Sequence, residues 1–162
     1  FTAPVRELEY GTFTFDLIMD QGGYFEFKRH RMMTLTPQPL TANLGFATPL
    51  KLQQAGLLND YQAAMSKAQA AYERLAQWNP QVASYVVPNG FNRRCLIEIN
   101  LRSALHLVNL RSAGNAHFSM RRVAQRMAEE LRENLPILGE YFRANPDETW
   151  QQVDANHFLP IE

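Results

Sequence analysis

The segment 91–111 constrains the fold more than any other. Residues 91–99 (Phe-Asn-Arg-Arg-Cys-Leu-Ile-Glu-Ile) follow a Pro88-Asn89-Gly90 turn and read as a strand that leads into a helix near Asn100. The spacing of that helix buries Leu101, Leu105 and Val108 on one side. It sets Arg102, His106 and Asn109 together on the other, because residues three and four apart share a helical face. A strand passing into an amphipathic helix asks for a sheet with helices layered against it.

The rest of the chain supplies candidates for both layers. Residues 12–20 alternate aromatic and polar side chains, the period of a half-buried strand, until Gln21-Gly22-Gly23 breaks it. Residues 24–31 suit either a second strand or a short helix and end in Arg29-His30-Arg31. The stretch 32–49, with Pro37, Pro39, Gly45 and Pro49, has the composition of a long loop. Three-four spacing from Leu57 through Met65 and Tyr72 to Leu75 predicts a helix over 57–78. Asn79-Pro80 ends it and can cap a short helix running to about Val87. Ser112-Ala113-Gly114-Asn115 interrupts the next helical run, which resumes over 116–134 on Phe118, Met120, Val123, Met127 and Leu131. After Pro136, one or two further turns over 137–142 are expected, and 145–162 shows no clear period. The expected class is α+β, a small mixed or antiparallel sheet packed against long helices.

Size and charge narrow the function. At 162 residues and 46% hydrophobic, the chain is expected to form one domain, 1–162, with a real core. Lys+Arg 16 balances Asp+Glu 16, so bulk charge favours neither nucleic acid nor a membrane surface as partner, and any anion site must be local. Cys95 has no second cysteine to pair with and reads as a buried strand residue in a reducing compartment. No apolar run approaches the roughly 20 residues of a membrane span, and no signal-peptide pattern is seen, so a cytoplasmic location is expected. The chain starts at Phe1 in what reads as mid-element sequence, which suggests an N-terminally incomplete copy or a piece of something longer. His30, His106, His117 and His157 lack the short spacings of metal ligands, and no metal site is expected. Neither G-x-S-x-G, a P-loop nor G-x-G-x-x-G occurs.

Two basic features remain. Arg29-His30-Arg31 is a compact set of donors that would face an anion if the preceding element fixed its direction, and otherwise is a solvated turn. Asn100, Arg102, His106, Asn109 and Arg111 line the polar side of the helix at 100–111, whose N-terminus favours phosphate or a carbonyl-rich ring. Taken with Phe13-Thr14-Phe15, Tyr72-Glu73-Arg74-Leu75 and Pro88, in this order and spacing, they resemble the flavin-dependent thymidylate synthase family. That family carries R-H-R-x-x-S-x-N-E-x-S-x-R-Y and, further on, N-x-R-S-x-x-x-F-x-x-L-R-x-x-x-x-A-Q-W-E.

The resemblance implies the fold of the thymidylate synthase complementing proteins. It also implies FAD contacts at Arg29, His30, Arg31, Asn100, Arg102 and His106, and a place for Arg111 beside the uracil ring, where it helps ionise it. Family members are homotetramers with flavin between subunits; they methylate deoxyuridylate to dTMP with methylenetetrahydrofolate and NADPH. This chain departs from the pattern after Arg31, where Thr34, Thr36, Pro37, Pro39 and Thr41 stand at the family's Ser, Asn, Glu, Ser and Arg, so that the Glu, Ser and Arg that hold the nucleotide are gone. Ser84 stands where an arginine meets the nucleotide phosphate, and Glu26 where a Gln touches the nucleotide; a carboxylate there would repel phosphate. The flavin half is thus retained and the deoxyuridylate half rewritten. Two functions are implied: a flavin enzyme acting on deoxyuridylate or on another pyrimidine-like or non-phosphorylated substrate, or a silent domain that serves assembly or completes the site of an intact copy.

Overall fold

The structure is a computed structural model and describes residues 4–142 and 144–160. In chain order its elements are β1 (Thr12–Asp20), α1 (Gln21–Phe27), β2 (Met33–Pro37), α2 (Leu50–Gln54), α3 (Leu58–Trp78), α4 (Pro80–Ala83), β3 (Asn92–Asn100), α5 (Leu101–Arg111), α6 (Phe118–Asn134) and α7 (Trp150–His157). Single 3-10 turns lie at Arg6–Glu9, Ser84–Val86 and Gly139–Tyr141. The class is α+β, as the patterning requires.

β3 is the central strand of an antiparallel sheet ordered β1-β3-β2. Phe13, Phe15 and Leu17 stand opposite Ile99, Ile97 and Cys95, while Met33 and Leu35 meet Ile99 and Ile97 from the other side. Opposed residues share a face, so these side chains form one apolar layer. Cys95, Ile97 and Ile99 are almost fully buried there, under Ala104, Leu107 and Val108 of α5 and Met120, Met127 and Leu131 of α6. The other face, carrying Thr14, Asp16, Ile18, Thr34, Thr36, Arg94, Leu96 and Glu98, is exposed. A second cluster lies under α3, where Met65 and Tyr72 pack with Ala42, Ala83, Val87 and Phe91.

Several expectations are corrected. Of the strand and the short helix expected over 24–31, residues 24–27 form the helix, but α1 begins at Gln21, where the glycines were expected to break the chain, because Asp20 caps it through the Gly23 N–H at 2.8 Å. The loop expected over 32–49 contains β2, whose Pro37 is tolerated because it ends an edge strand. α4 stops at Ala83, earlier than Val87, and passes into a 3-10 turn; Asn79 caps it by accepting from the Gln81 and Val82 N–H groups. α6 starts at Phe118 rather than 116. The aperiodic tail holds α7, begun by a capping box in which Thr149 and Gln152 satisfy each other's backbone N–H.

The turn before β3 is closed by side chains of α3. The Tyr61 hydroxyl donates to the Ala47 carbonyl at 2.7 Å, and the Ala47 N–H donates to the Gly90 carbonyl at 2.8 Å. A Cβ on Gly90 would fall well inside van der Waals contact distance of the Tyr61 hydroxyl and 2.9 Å from Met65 Cε. Gly90→Ala is therefore expected to cost about 1–3 kcal/mol by breaking this hydrogen bond and crowding the cluster. Urea unfolding checks it: the midpoint falls and the slope is unchanged.

Candidate functional site

Arg29-His30-Arg31 lies in the short connection from α1 to β2, after a tight helix end in which the Arg29 and His30 N–H groups donate to Glu26 O and Phe27 O. Burial of Phe27 anchors that end, so the triplet has a fixed origin. Arg29 and Arg31 are exposed, and among the described residues neither side chain has a hydrogen-bond or ion-pair partner. His30 turns inward and meets the C-terminal turn of α5. Arg111 Nε donates to His30 Nε2 at 2.8 Å, and Arg111 Nη1 donates to Glu26 Oε2 at 2.6 Å. His106, one helical turn or so earlier on α5, places its ring edge-on to His30 with centroids 6.0 Å apart.

Guanidinium groups only donate, so His30 Nε2 carries no proton and the ring is the neutral Nδ1–H tautomer. Burial, then the Arg111 charge, then His106 hold its pKa down at about 4, against a smaller opposing pull from Glu26. Charge is thus layered across the site. Inside, Arg111 and Glu26 cancel and His30 is uncharged; outside, Arg29 and Arg31 are free cations. Such a surface can bind an anion at its rim and hydrogen-bond an uncharged group further in.

Asn100 and Arg102 do not join this cluster. They sit at the opposite end of α5 from Arg111, about 14 Å away for Arg102 and about 17 Å for Asn100 along an axis that rises 1.5 Å per residue. Asn100 caps α5 by accepting from the Ser103 N–H at 2.8 Å, and Arg102 Nη1 pairs with Glu9 at 2.6 Å. The structure therefore gathers His30, His106 and Arg111, leaves Arg29 and Arg31 at their edge, and gives Asn100 and Arg102 local partners. Glu9 and Glu26, the counter-charges, are what sequence reasoning missed as pair members. Glu26 stood out as a carboxylate near the triplet, but nothing in the sequence linked it to an arginine 85 positions on. Ser84 donates to Gln81 O at 2.7 Å, and Thr34 and Thr36 point outward from β2.

The low pKa of His30 has a consequence for stability. The unfolded imidazole, near 6.5, takes up a proton before the folded one does, so stability is intact above about pH 6.5 and drains away as the pH falls toward 4. Urea midpoints measured from pH 7.5 to 4.5 are expected to fall less steeply in His30→Gln than in the wild type.

Known proteins place these residues in context. The family model described as thymidylate synthase complementing protein matches residues 5–137. A UPF0159 protein of Chlamydia muridarum is 37% identical over 138 residues, which is 85% of this chain and 26% of that protein. A UPF0159 protein of Thermoplasma acidophilum is 30% identical over 138 residues, 82% of this chain and 27% of that one. A flavin-dependent thymidylate synthase of Sulfolobus acidocaldarius is 25% identical over 146 residues, 85% of this chain and 56% of that enzyme. The chain spans about a quarter of the length of the first two relatives. The match runs through both basic segments and all three strands, and the chain belongs to the thymidylate synthase complementing protein family.

Proposed function

We propose that this domain is the flavin-binding part of an FAD-dependent enzyme acting on a uracil-like pyrimidine. The observation that carries the reading is the convergence of Arg111 and His106 on His30, Arg111 being 81 positions further along the chain. The donor set suits a dinucleotide. Arg29 and Arg31, both exposed and unpaired among the described residues, match the two charges of a pyrophosphate. Asn100 and Arg102 would reach it only by exchanging their present partners.

Bound flavin would supply hydride chemistry to the pyrimidine, with NADPH and methylenetetrahydrofolate as co-substrates if the reaction is the family's methylation. The chain's own contribution is positional. His30, held neutral, fixes the Arg111 guanidinium from one side while Glu26 fixes it from another, leaving its remaining N–H groups for a ring carbonyl. A homotetramer, with flavin between subunits, is part of this reading, because in one chain the rim arginines face open solvent.

A second reading is favoured by one feature: both arginines of α5 expected at ligands are occupied by carboxylates of this chain, Glu9 and Glu26. That suits a silent domain serving assembly, or completing the site of an intact copy. Titration with FAD separates the two. The first reading requires saturable quenching of flavin fluorescence and a yellow protein; a colourless protein that ignores FAD overturns it. In the same assay Arg29→Ala and Arg31→Ala are each expected to weaken FAD about tenfold or more, the worth of one charge-assisted contact. Were the triplet only a solvated turn, neither substitution would change the titration.

A further inference from the structure

We propose that residues 145–157 form an acid-released strap: neutral His157 docks α7 on Arg121, and protonation of His157 undocks it and unbraces the end of α5 that carries Arg111. The strap stands apart from the flavin reading and needs no ligand.

Arg121, on the first turn of α6, is the hub. Its side chain is only 12% exposed and ties three segments together. Nη1 donates to the Gly114 carbonyl at 2.9 Å, in the turn that follows α5, and Nη2 meets His157 Nε2 at 2.9 Å on the last turn of α7. Nε lies 3.5 Å from Glu148 Oε2 and makes no hydrogen bond. A guanidinium only donates, so His157 Nε2 accepts and the docked ring is neutral. That ring also stacks on Phe118, with centroids 4.9 Å apart and planes 9° from parallel. Of the charged or titratable groups facing it, Arg121 on α6, Lys51 on α2 and His117 just before α6 oppose a proton, and Glu148 favours one. Burial first, and then Arg121, hold the His157 pKa below its ordinary 6.5.

A protonated His157 cannot keep this contact, because Nε2 has no lone pair left for Arg121 and two cations would share a hydrogen-bond distance. Arg121, whose Nε already lacks an acceptor, would lose a second one. Undocking returns the ring to water, where it takes up a proton more readily. Docking is therefore intact above about pH 6.5 and is lost as the pH falls toward the docked value. Buried Val153 and the Arg122–Asp154 pair, 2.5 Å apart, hold α7 from its other contacts and set the starting balance. At its leading end the strap reaches α5. The Asn145 N–H donates to Ser112 Oγ at 3.2 Å, and the Ser112 N–H closes α5 on the Val108 carbonyl at 3.0 Å. Ser112 follows Arg111 directly, so what loosens the strap loosens the turn that aims Arg111.

Native-state hydrogen exchange of the full chain, read amide by amide and corrected for intrinsic pH dependence, tests it. From pH 7 to pH 5 the protection of the Val153 and Phe158 amides is expected to fall by up to about tenfold for each pH unit below 6.5, and that of Ser112 with them. Ile97 in the central strand reports global opening and is expected to stay more protected. His157→Gln keeps an acceptor for Arg121 and cannot be protonated, so its α7 protection should not change with pH; His30→Gln should leave the fall as in wild type. A fall that persists in His157→Gln, one abolished by His30→Gln, or equal wild-type protection at both pH values overturns the inference. A Ser112 amide that stays protected while α7 opens overturns the brace on α5. Should His157→Gln fold poorly, wild type still decides: a His157 ring-proton titration with its midpoint below 6.5 supports the strap, and one at or above 6.5 overturns it.

Discussion

The ladder that β3 makes with both neighbours is the constraint on which the remaining structure hangs. Its pairing with β2 begins at Met33 opposite Ile99, and its last residue, Asn100, caps α5. Fixing one strand therefore fixes two things at once: where the chain leaving α1 must arrive, and where α5 must start. His30 lies just before the first of these points and Arg111 on the last turn of the helix that leaves the second. Their contact follows from the register. A slip of one residue would turn Cys95, Ile97 and Ile99 outward and move the basic triplet away from α5 in the same step.

The two ion pairs on α5 differ in what they can do. Arg102 and Glu9 have side chains 39% and 35% exposed, so water screens them and the pair adds little to stability. Such a pair can be exchanged for a ligand at small cost. Arg111 is less than half as exposed as Arg102 and is held by His30 as well as by Glu26. Removing a partner there leaves a partly buried charge uncompensated, which is costlier than losing a solvated pair. The end of α5 nearest the triplet is thus the rigid end, and the end bearing Arg102 the adaptable one.

Legibility in the sequence followed the range of the interactions. Local periodicity sufficed for β1, α3, β3 and α5, and one-residue chemistry sufficed for the Asn79 cap. β2 was hidden because Pro37 and Pro39 dominate the composition of its neighbourhood, although Met33 and Leu35 already alternate with Thr34 and Thr36. The capping box of α7 is present in the sequence as Thr149 and Gln152, yet with one fully buried residue, Val153, at its centre the helix has almost no apolar period to announce it. For the site, resemblance to the family pointed to His30, His106 and Arg111, which the structure brings together. What it could not supply was the occupancy of each arginine, because the identity of a counter-charge depends on contacts spanning 85 and 93 positions.

The rewritten segment after Arg31 acquires a physical meaning from β2. Thr34 and Thr36 point to the open side of the sheet, beside Glu98 and Leu96, and away from the layer that α5 and α6 bury. A ligand reaching from the triplet toward these threonines would lie on a surface whose exposed apolar residues, Ile18 at 56% and Leu96 at 49%, have no cover within the described residues. One chain can hold such a ligand from below only. Covering these residues takes a second protein surface over the open face.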